Sequence, residues 1–421
     1  MTGGGPAPWT YEQAEDHLLS LELFGMRFGL ERMRRLMTAL GSPQRTLPAI
    51  HVVGTNGKSS TTRMTAAILR AHGLRAGAYL SPHLGSFCER IRVDDADLDP
   101  ASFGAAVQRA ARAAAVLERS GADGERVTQF ELLTAAALWE LARRHVDAAV
   151  VEAGLGARYD ATAVVDARVV ALTNVGLEHT RWLGPTVTHI AREKLAAVRP
   201  GAVLVTGPLG PEARAVAEEV VAERGVHWVR APAGTATRLA ARGAFQAANF
   251  ALARAAAEAF LGAVDEHAVD SAGAAVLIPG RCEVIAQSPL TILDGAHNPD
   301  GARALAASLP DLAGDRPVVG VLSILEDKDA AGMLALLLAC CASVVFTSNR
   351  NPRALPPATL QSLARQVAPG GTPSVLEPDP RRALALARET AGPRGVVLAT
   401  GSIHLVADLA PNVPSRRASS L

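Results

Sequence analysis

Ile50-His51-Val52-Val53-Gly54-Thr55-Asn56-Gly57-Lys58-Ser59-Ser60 decides the fold, because a short apolar strand runs into a glycine-bearing turn that ends in Lys-Ser and opens a helix. Gly54 and Gly57 permit a tight backbone path, successive N–H groups point inward at an anion, and the helix N-terminus adds partial positive charge. That order builds a phosphate cradle. Lys58 is then placed on the β/γ-phosphates of a nucleotide and Ser59 beside a Mg²⁺ ion. The spacing departs from the common P-loop, which carries Gly where this chain has Val52. Context supplies what the spacing lacks: Ile50 to Val53 are β-rich, and Met64, Ala67, Ile68 and Ala71 follow at helical spacing until Gly73.

A chain of 421 residues exceeds one ordinary core, so two α/β domains are expected. Hydrophobic residues at 49% and aromatics at only 4% describe a helix-rich globular protein with a substantial core rather than a disordered one. The net charge of +1 carries no bulk signature of a nucleic-acid or anionic-membrane partner. Cys88, Cys282, Cys340 and Cys341 show no metal-ligand spacing, and the last two fall in an apolar, helix-like run from Met333 to Val345, which reads as a buried, reduced pair. No apolar stretch reaches about 18 uncharged residues, and residues 1–10 lack a basic segment followed by an apolar core. A cytoplasmic protein is expected, with frayed ends at 1–7 and 411–421.

Helical patterning occupies Tyr11 to Leu40, after which strands and helices alternate, the signature of a mostly parallel sheet covered by helices. Candidate strands are Ile50 to Val53, Arg75 to Leu80, Ala148 to Ala153, Val169 to Asn174 and Ala202 to Thr206, with long helices at Pro100 to Ser120 and Gln129 to Arg144. The rhythm restarts with strands at Thr291 to Asp294, Val318 to Ser323, Ser343 to Thr347 and Val396 to Thr400. Helices interleave them at Pro299 to Ser308, Asp329 to Cys341, Pro357 to Val367 and Pro380 to Thr390. Leu277-Ile278-Pro279-Gly280-Arg281 reads as the junction, dividing the chain into 1–282 and 283–421.

Polar residues stand at several strand ends, where an open α/β sheet places its ligands. Glu152 ends the apolar run Val150-Val151 and precedes Gly154 and Gly156; a carboxylate there needs a partner, and a metal ion is the obvious one. The loop after the next strand carries Glu178-His179-Thr180, so Glu152 and His179 could meet over the phosphate loop, although Mg²⁺ prefers oxygen ligands. Each feature has a plainer counterpart. Glu152 could cap a helix, His179 could be a surface residue, and Lys194 a solvated helix charge. Asp294-Gly295-Ala296-His297-Asn298-Pro299 could simply turn a strand into a helix, with Asn298 as cap.

Together these segments stop being independent. Gly54-Thr55-Asn56-Gly57-Lys58, Ser81-Pro82-His83-Leu84, Glu89-Arg90-Ile91-Arg92, Val151-Glu152-Ala153-Gly154-Leu155-Gly156, Glu178-His179-Thr180, Glu193-Lys194, Pro279-Gly280-Arg281 and Asp294 to Pro299 occur in that order, joined by Asp327-Lys328-Asp329 and Thr400-Gly401-Ser402. In this the chain resembles the folylpolyglutamate synthase/dihydrofolate synthase family, a branch of the Mur ligases, over residues 11–410. The resemblance implies a P-loop, Mur-ligase-like central ATPase domain with a mostly parallel sheet and a smaller C-terminal Rossmann-like α/β domain. It also implies an activity: ATP converts a carboxylate to an acyl phosphate, and the amino group of L-glutamate then forms the amide.

Residue by residue, the resemblance assigns ATP to Thr55, Asn56, Gly57, Lys58, Ser59, Ser60, Asn249, Arg281 and Asp294. Ser81, Glu152 and His179 correspond to ligands of Mg²⁺, and Lys194 to a lysine carbamylated by CO₂ that helps hold a second ion. Lys58, Lys194 and His297 take the catalytic roles, His297 facing the cleft from the second domain. Phe28, Gly29, Leu30, Thr128, Gln129, Phe130, Glu131, Asp160, Ala161 and Thr162 correspond to the pterin side, with the Ser81 to Arg92 loop as lid and Phe28, Phe87 and Phe130 as stacking candidates. The implied partners are small molecules, with no nucleic acid or membrane, and a monomer. Ser59, Ala157, Ala163, Glu178 and Phe245 depart from the family pattern. They leave the acceptor open between dihydropteroate, reduced folates and a related non-folate carboxylate. The competing readings are a Mur-type ligase for a non-folate acceptor and a P-loop kinase, the second of which has no use for the second α/β domain.

Overall fold

The computed structural model of the protein describes residues 7–21, 29–120 and 126–410. Strands β1 (Ala49–Val53), β2 (Ala76–Tyr79), β3 (Ile91–Val93), β4 (Ala96–Asp97), β5 (Ala148–Glu152), β6 (Ala167–Leu172), β7 (Val203–Thr206) and β8 (His227–Arg230) form one sheet in the order β4-β3-β2-β5-β1-β6-β7-β8. It is parallel apart from the antiparallel edge made by β3 and β4. Strands β9 (Glu283–Gln287), β10 (Leu290–Leu293), β11 (Val318–Leu322), β12 (Ser343–Phe346), β13 (Ser374–Leu376) and β14 (Val396–Thr400) form a second sheet, β13-β12-β11-β14-β10-β9, with β9 antiparallel at its edge. Two α/β lobes result, as the alternation of strand and helix patterns implies.

All of β1 and β5 is buried, which is why both read as unbroken apolar runs: helices cover each face of a parallel sheet. Residues of β1 divide between the two faces with the period of a strand. Ala49 and Val53 join one core, with Leu133 and Leu172, while Ile50 and Val52 join the other, with Met64, Ile68 and Phe250. The helix Lys58–Ala71 inserts Met64, Ile68 and Leu69 into that second core, against the helix Phe245–Leu261. Truncating Ile68 to Ala would cost about 2–5 kcal/mol, so the helix that starts at Lys58 is anchored far more firmly than its own short length could manage.

Strand order places the site. From β1 the chain passes to β2 on one side, returns through β5 between them, and crosses to β6 on the other side. The loop after β1 therefore lies at the switch point, flanked by the carboxyl ends of β2, β5 and β6.

Several elements differ from expectation. The helical pattern of Tyr11 to Leu40 is two helices, Tyr11–Ser20 and Glu31–Ala39, and residues 22–28 lie outside the described ones. The helix expected to include Cys340 and Cys341 is Ala330–Leu338, so both cysteines sit in the turn before β12, each half-buried; all four cysteines are free thiols. A continuous apolar run there spans the end of a helix and the start of a strand, which periodicity alone does not separate. The segment that follows the junction turn, where no strand is expected, is the edge strand β9. Among the described residues no helix is long and apolar enough to cross a membrane.

Candidate active site

The turn after β1 has the glycine dependence its sequence announces. Gly54 has φ 150° and Gly57 φ 81°; a Cβ on Gly54 would collide with Thr173 Oγ1, and one on Gly57 with Asn249 Oδ1. The Asn249 amide is oriented by its own Nδ2, which donates to Gln246 Oε1 at 2.9 Å. Lys58 Nζ donates to Thr55 O at 3.0 Å, folding the side chain back over the turn. Ser60 is buried beneath it.

Three candidate cation ligands converge here. Ser59 Oγ donates to Glu152 Oε1 at 2.8 Å, and the Ser81 N–H donates to Glu152 Oε2 at 3.1 Å. Glu152 is buried, which raises its carboxyl pKa to about 7 against the opposing pull of Lys58 and these hydrogen bonds. Lys194, from the helix Val187–Leu195, is also buried and donates to Gly54 O at 2.7 Å. Burial, together with the nearby Lys58 charge, lowers its amine to about 7. His179 has left-handed backbone (φ 52°) and its imidazole is turned to Glu178 Oε1 at 3.8 Å. Glu152 and His179 share no direct hydrogen bond.

The second lobe docks on this turn. Asn56 and Asn298 exchange amide hydrogen bonds, Asn298 Nδ2 to Asn56 Oδ1 at 2.9 Å and Asn56 Nδ2 to Asn298 Oδ1 at 3.2 Å. Asn298 also caps the helix Pro299–Ala313 through Gly301 N. Asp294 ends β10 buried, accepting from Cys282 N at 2.9 Å and Ala296 N at 2.8 Å; burial raises its pKa while Arg281 opposes the shift. His297 Nε2 lies 3.2 Å from Glu178 Oε1, and its Nδ1 contacts Gly295 O at 2.9 Å.

Most of the residues expected to face a pterin have internal partners. Thr128 and Glu131 form a capping box on the helix Gln129–Arg143, and Glu131 holds Arg32 Nε at 2.8 Å. Gln129 Nε2 donates to Leu18 O, while Asp160 accepts from Leu155 N and Thr162 N and contacts the Thr162 hydroxyl. Ala161 is buried beside them. Phe130 is half-buried, lying over Gly154 and tilted against Tyr79, with Leu30 half-buried and Gly29 exposed at the start of the helix Glu31–Ala39. Phe28 lies outside the described residues. Phe87 is a correction: only 2% exposed and stacked on Phe103, it is core and has no face for a ligand.

Sequence reasoning gave no role to Asn174, whose Oδ1 accepts from Asn56 N and whose Nδ2 donates to Asn56 O, and placed Lys328 in a family motif without its partner, Glu178, 3.3 Å away. No spacing signal announces either pairing, because the partners lie more than a hundred residues apart and only the fold adds that information.

A two-lobed α/β protein with a phosphate loop at its switch point and a second lobe capping that loop has the architecture of a Mur-type ligase, and the family described as "Mur ligase, glutamate ligase domain" matches residues 280–403. The dihydrofolate synthase/folylpolyglutamate synthase of Mycobacterium tuberculosis is 38% identical over 366 residues, 77% of this chain and 75% of that protein. The Escherichia coli enzyme of the same name is 34% identical over 407 residues, 92% of each. The solved structure of Mycobacterium tuberculosis folylpolyglutamate synthase complexed with ADP superposes with TM-score 0.89 at 34% identity, covering 97% of this chain and 99% of that one. Escherichia coli FolC in complex with DHPP and ADP superposes with TM-score 0.84 at 30% identity over 96% of both. The chain belongs to the dihydrofolate synthase/folylpolyglutamate synthase family.

Proposed function

We propose that the protein is an ATP-dependent carboxylate–amine ligase that joins L-glutamate to dihydropteroate, to the γ-carboxylate of tetrahydrofolates, or to both. The observation that carries this reading is the seating of the glutamate ligase lobe, through Asn298, on a phosphate loop that also gathers Lys58, Ser59, Ser81, Glu152 and Lys194. A kinase would need no such lobe.

In this reading the backbone of Thr55 to Ser60 and the ammonium of Lys58 hold the β/γ-phosphates, with Asn249, Arg281 and Asp294 toward the nucleoside. The acceptor carboxylate attacks the γ-phosphorus, the bond to the bridging oxygen breaks, and ADP leaves. The glutamate amine then attacks the acyl carbon, loses its proton, and inorganic phosphate departs. Such chemistry asks the protein for positioning and charge neutralisation. His297 orients the reactants from the second lobe.

The set around Glu152 fits a hard divalent cation: a buried carboxylate that accepts from the Ser59 hydroxyl and from the Ser81 N–H is the kind of group that Mg²⁺ would stabilise. Ser59, Ser81, Glu152 and His179 would hold it, with Lys194 as a carbamate, and the ion would neutralise phosphate charge during transfer. The lowered pKa of Lys194 favours carbamylation, since CO₂ reacts with the unprotonated amine. Phe130, Leu30 and Asp160 take the pterin, with the remaining pterin-side residues fixing their positions. The functional division falls at 1–282, for the ATP phosphates, metal and pterin, and 283–421, for the nucleotide ribose and glutamate. We place the protein in the cytoplasm as a monomer acting on small molecules.

The test is ADP release by purified protein with ATP, Mg²⁺ and L-glutamate, in the presence of dihydropteroate, tetrahydrofolate or no acceptor, with the amide product identified by mass. Acceptor-stimulated ADP release with a product one glutamate heavier is expected. Acceptor-independent ADP release without amide would refute the ligase reading.

A further inference from the structure

The loop that follows β6 grips both lobes at once. At its start Asn174 brackets Asn56, taking the N–H at 3.0 Å and donating to the carbonyl at 3.1 Å. Thr55 Oγ1 accepts from Gly176 N at 3.1 Å, so the loop is laced to the phosphate turn by backbone and side chain alike. Gly176 is pressed so closely on the second lobe that a Cβ there would collide with Asp300 Oδ2. Two residues on, the Glu178 side chain is 8% exposed, and its Oε1 receives His297 Nε2 at 3.2 Å and Lys328 Nζ at 3.3 Å, both from the second lobe.

A carboxylate this buried is costly unless its charge is matched, and its two nearest partners belong to the other lobe, with His179 of its own lobe farther off at 3.8 Å. Separating the lobes would strand Glu178 on one side and Lys328, itself 12% exposed, on the other. The contact therefore exists only in this relative placement of the lobes. Neither Glu178 nor Lys328 has a part in the chemistry described above.

We propose that Glu178 is a positioning residue that seats the second lobe, fixing His297 and Lys328 through one carboxylate oxygen against the same loop that laces the phosphate turn. Alongside the Asn56–Asn298 exchange, this short segment aligns the glutamate half of the site with the phosphate half. The kinetic consequence rests on the ligase reading, whereas the structural consequence does not. Because misplacing a reacting group by about 1 Å can cost about 10²-fold, loss of the seat should appear in turnover and in use of glutamate far more than in nucleotide binding.

The experiment compares wild-type protein with Glu178→Ala, Glu178→Gln and Lys328→Ala by steady-state kinetics, ADP-binding calorimetry and small-angle X-ray scattering with ADP present. Glu178→Ala is expected to lower kcat/KM for glutamate by about 10²-fold while ADP affinity stays within about twofold, and to enlarge the radius of gyration. Glu178→Gln keeps an acceptor oxygen and should fall between wild type and Ala, and Glu178→Ala combined with Lys328→Ala should be no worse than the more damaging single change. Should Glu178→Ala fail to fold, the Gln variant carries the same comparison. Unchanged scattering with unchanged glutamate kinetics, or equal losses for glutamate and ADP, would overturn the proposal. Wild-type protein that forms no glutamate amide would instead overturn the ligase reading, and the scattering comparison would still decide the role of Glu178.

Discussion

The buried imidazole of His51 makes the stability of the first lobe depend on pH. It lies on β1, 1% exposed, with Nε2 2.9 Å from Thr162 Oγ1, and burial lowers its pKa from 6.5 to about 4. In the unfolded chain the imidazole takes up its proton near pH 6.5, and in the folded chain only near pH 4. The unfolded state therefore binds more protons between these values, so stability is full above pH 6.5 and falls as the pH drops toward 4. Linkage gives a loss of about 2 kcal/mol between pH 7 and pH 5 and about 3 kcal/mol by pH 4, a large part of a domain's stability. Buried carboxyls with raised pKa, such as Glu152 and Asp294, act in the opposite direction, so the measurement has to be a difference. Urea unfolding of wild type and His51→Gln across this pH range supplies it. Tryptophan fluorescence is a suitable probe, since Trp9, Trp139, Trp182 and Trp228 all precede the second sheet and report on the lobe that contains His51. The wild-type decline from pH 7 to pH 5 should exceed that of His51→Gln by about 2 kcal/mol. Equal declines would show that the His51 proton does not set acid stability.

Lys58→Met should reduce kcat by about 10²–10³-fold, as loss of one preorganised charge partner of a transferring phosphoryl group does, with thermal stability near wild type; retention of turnover would remove Lys58 from phosphate binding. Lys194→Ala should abolish ligation and recover part of it with a short carboxylic acid such as acetate, and full activity in the plain variant would dismiss a carbamate there. Gly57→Ala forces a Cβ toward Asn249 at φ 81°, so it should weaken ADP binding and cost about 1–3 kcal/mol of stability; unchanged calorimetry and unchanged unfolding would contradict the strain argument.

The alternation of buried strands and amphipathic helices, and the glycine turn between β1 and its helix, were legible in the chain itself because they depend on local periodicity and on backbone freedom at Gly54 and Gly57. The sequence also carried the strand-end carboxylate Glu152 and the order of motifs that marks the family. Strand ends were legible to within a residue or two, whereas Cys340 and Cys341 were misread because an apolar run passes from helix to strand without a change of composition. What only the tertiary structure decided are pairings between residues far apart in the chain: Ser59 with Glu152, Asn56 with Asn298, and Glu178 with His297 and Lys328. It also decided that Phe87 is core, and that Glu152 answers to Ser59 and Ser81 while His179 turns to Glu178. The physical reason is the same throughout. Periodicity and turn chemistry act over a few residues and leave their mark in the local sequence, whereas a hydrogen bond or ion pair across lobes depends on where two packed sheets come to rest.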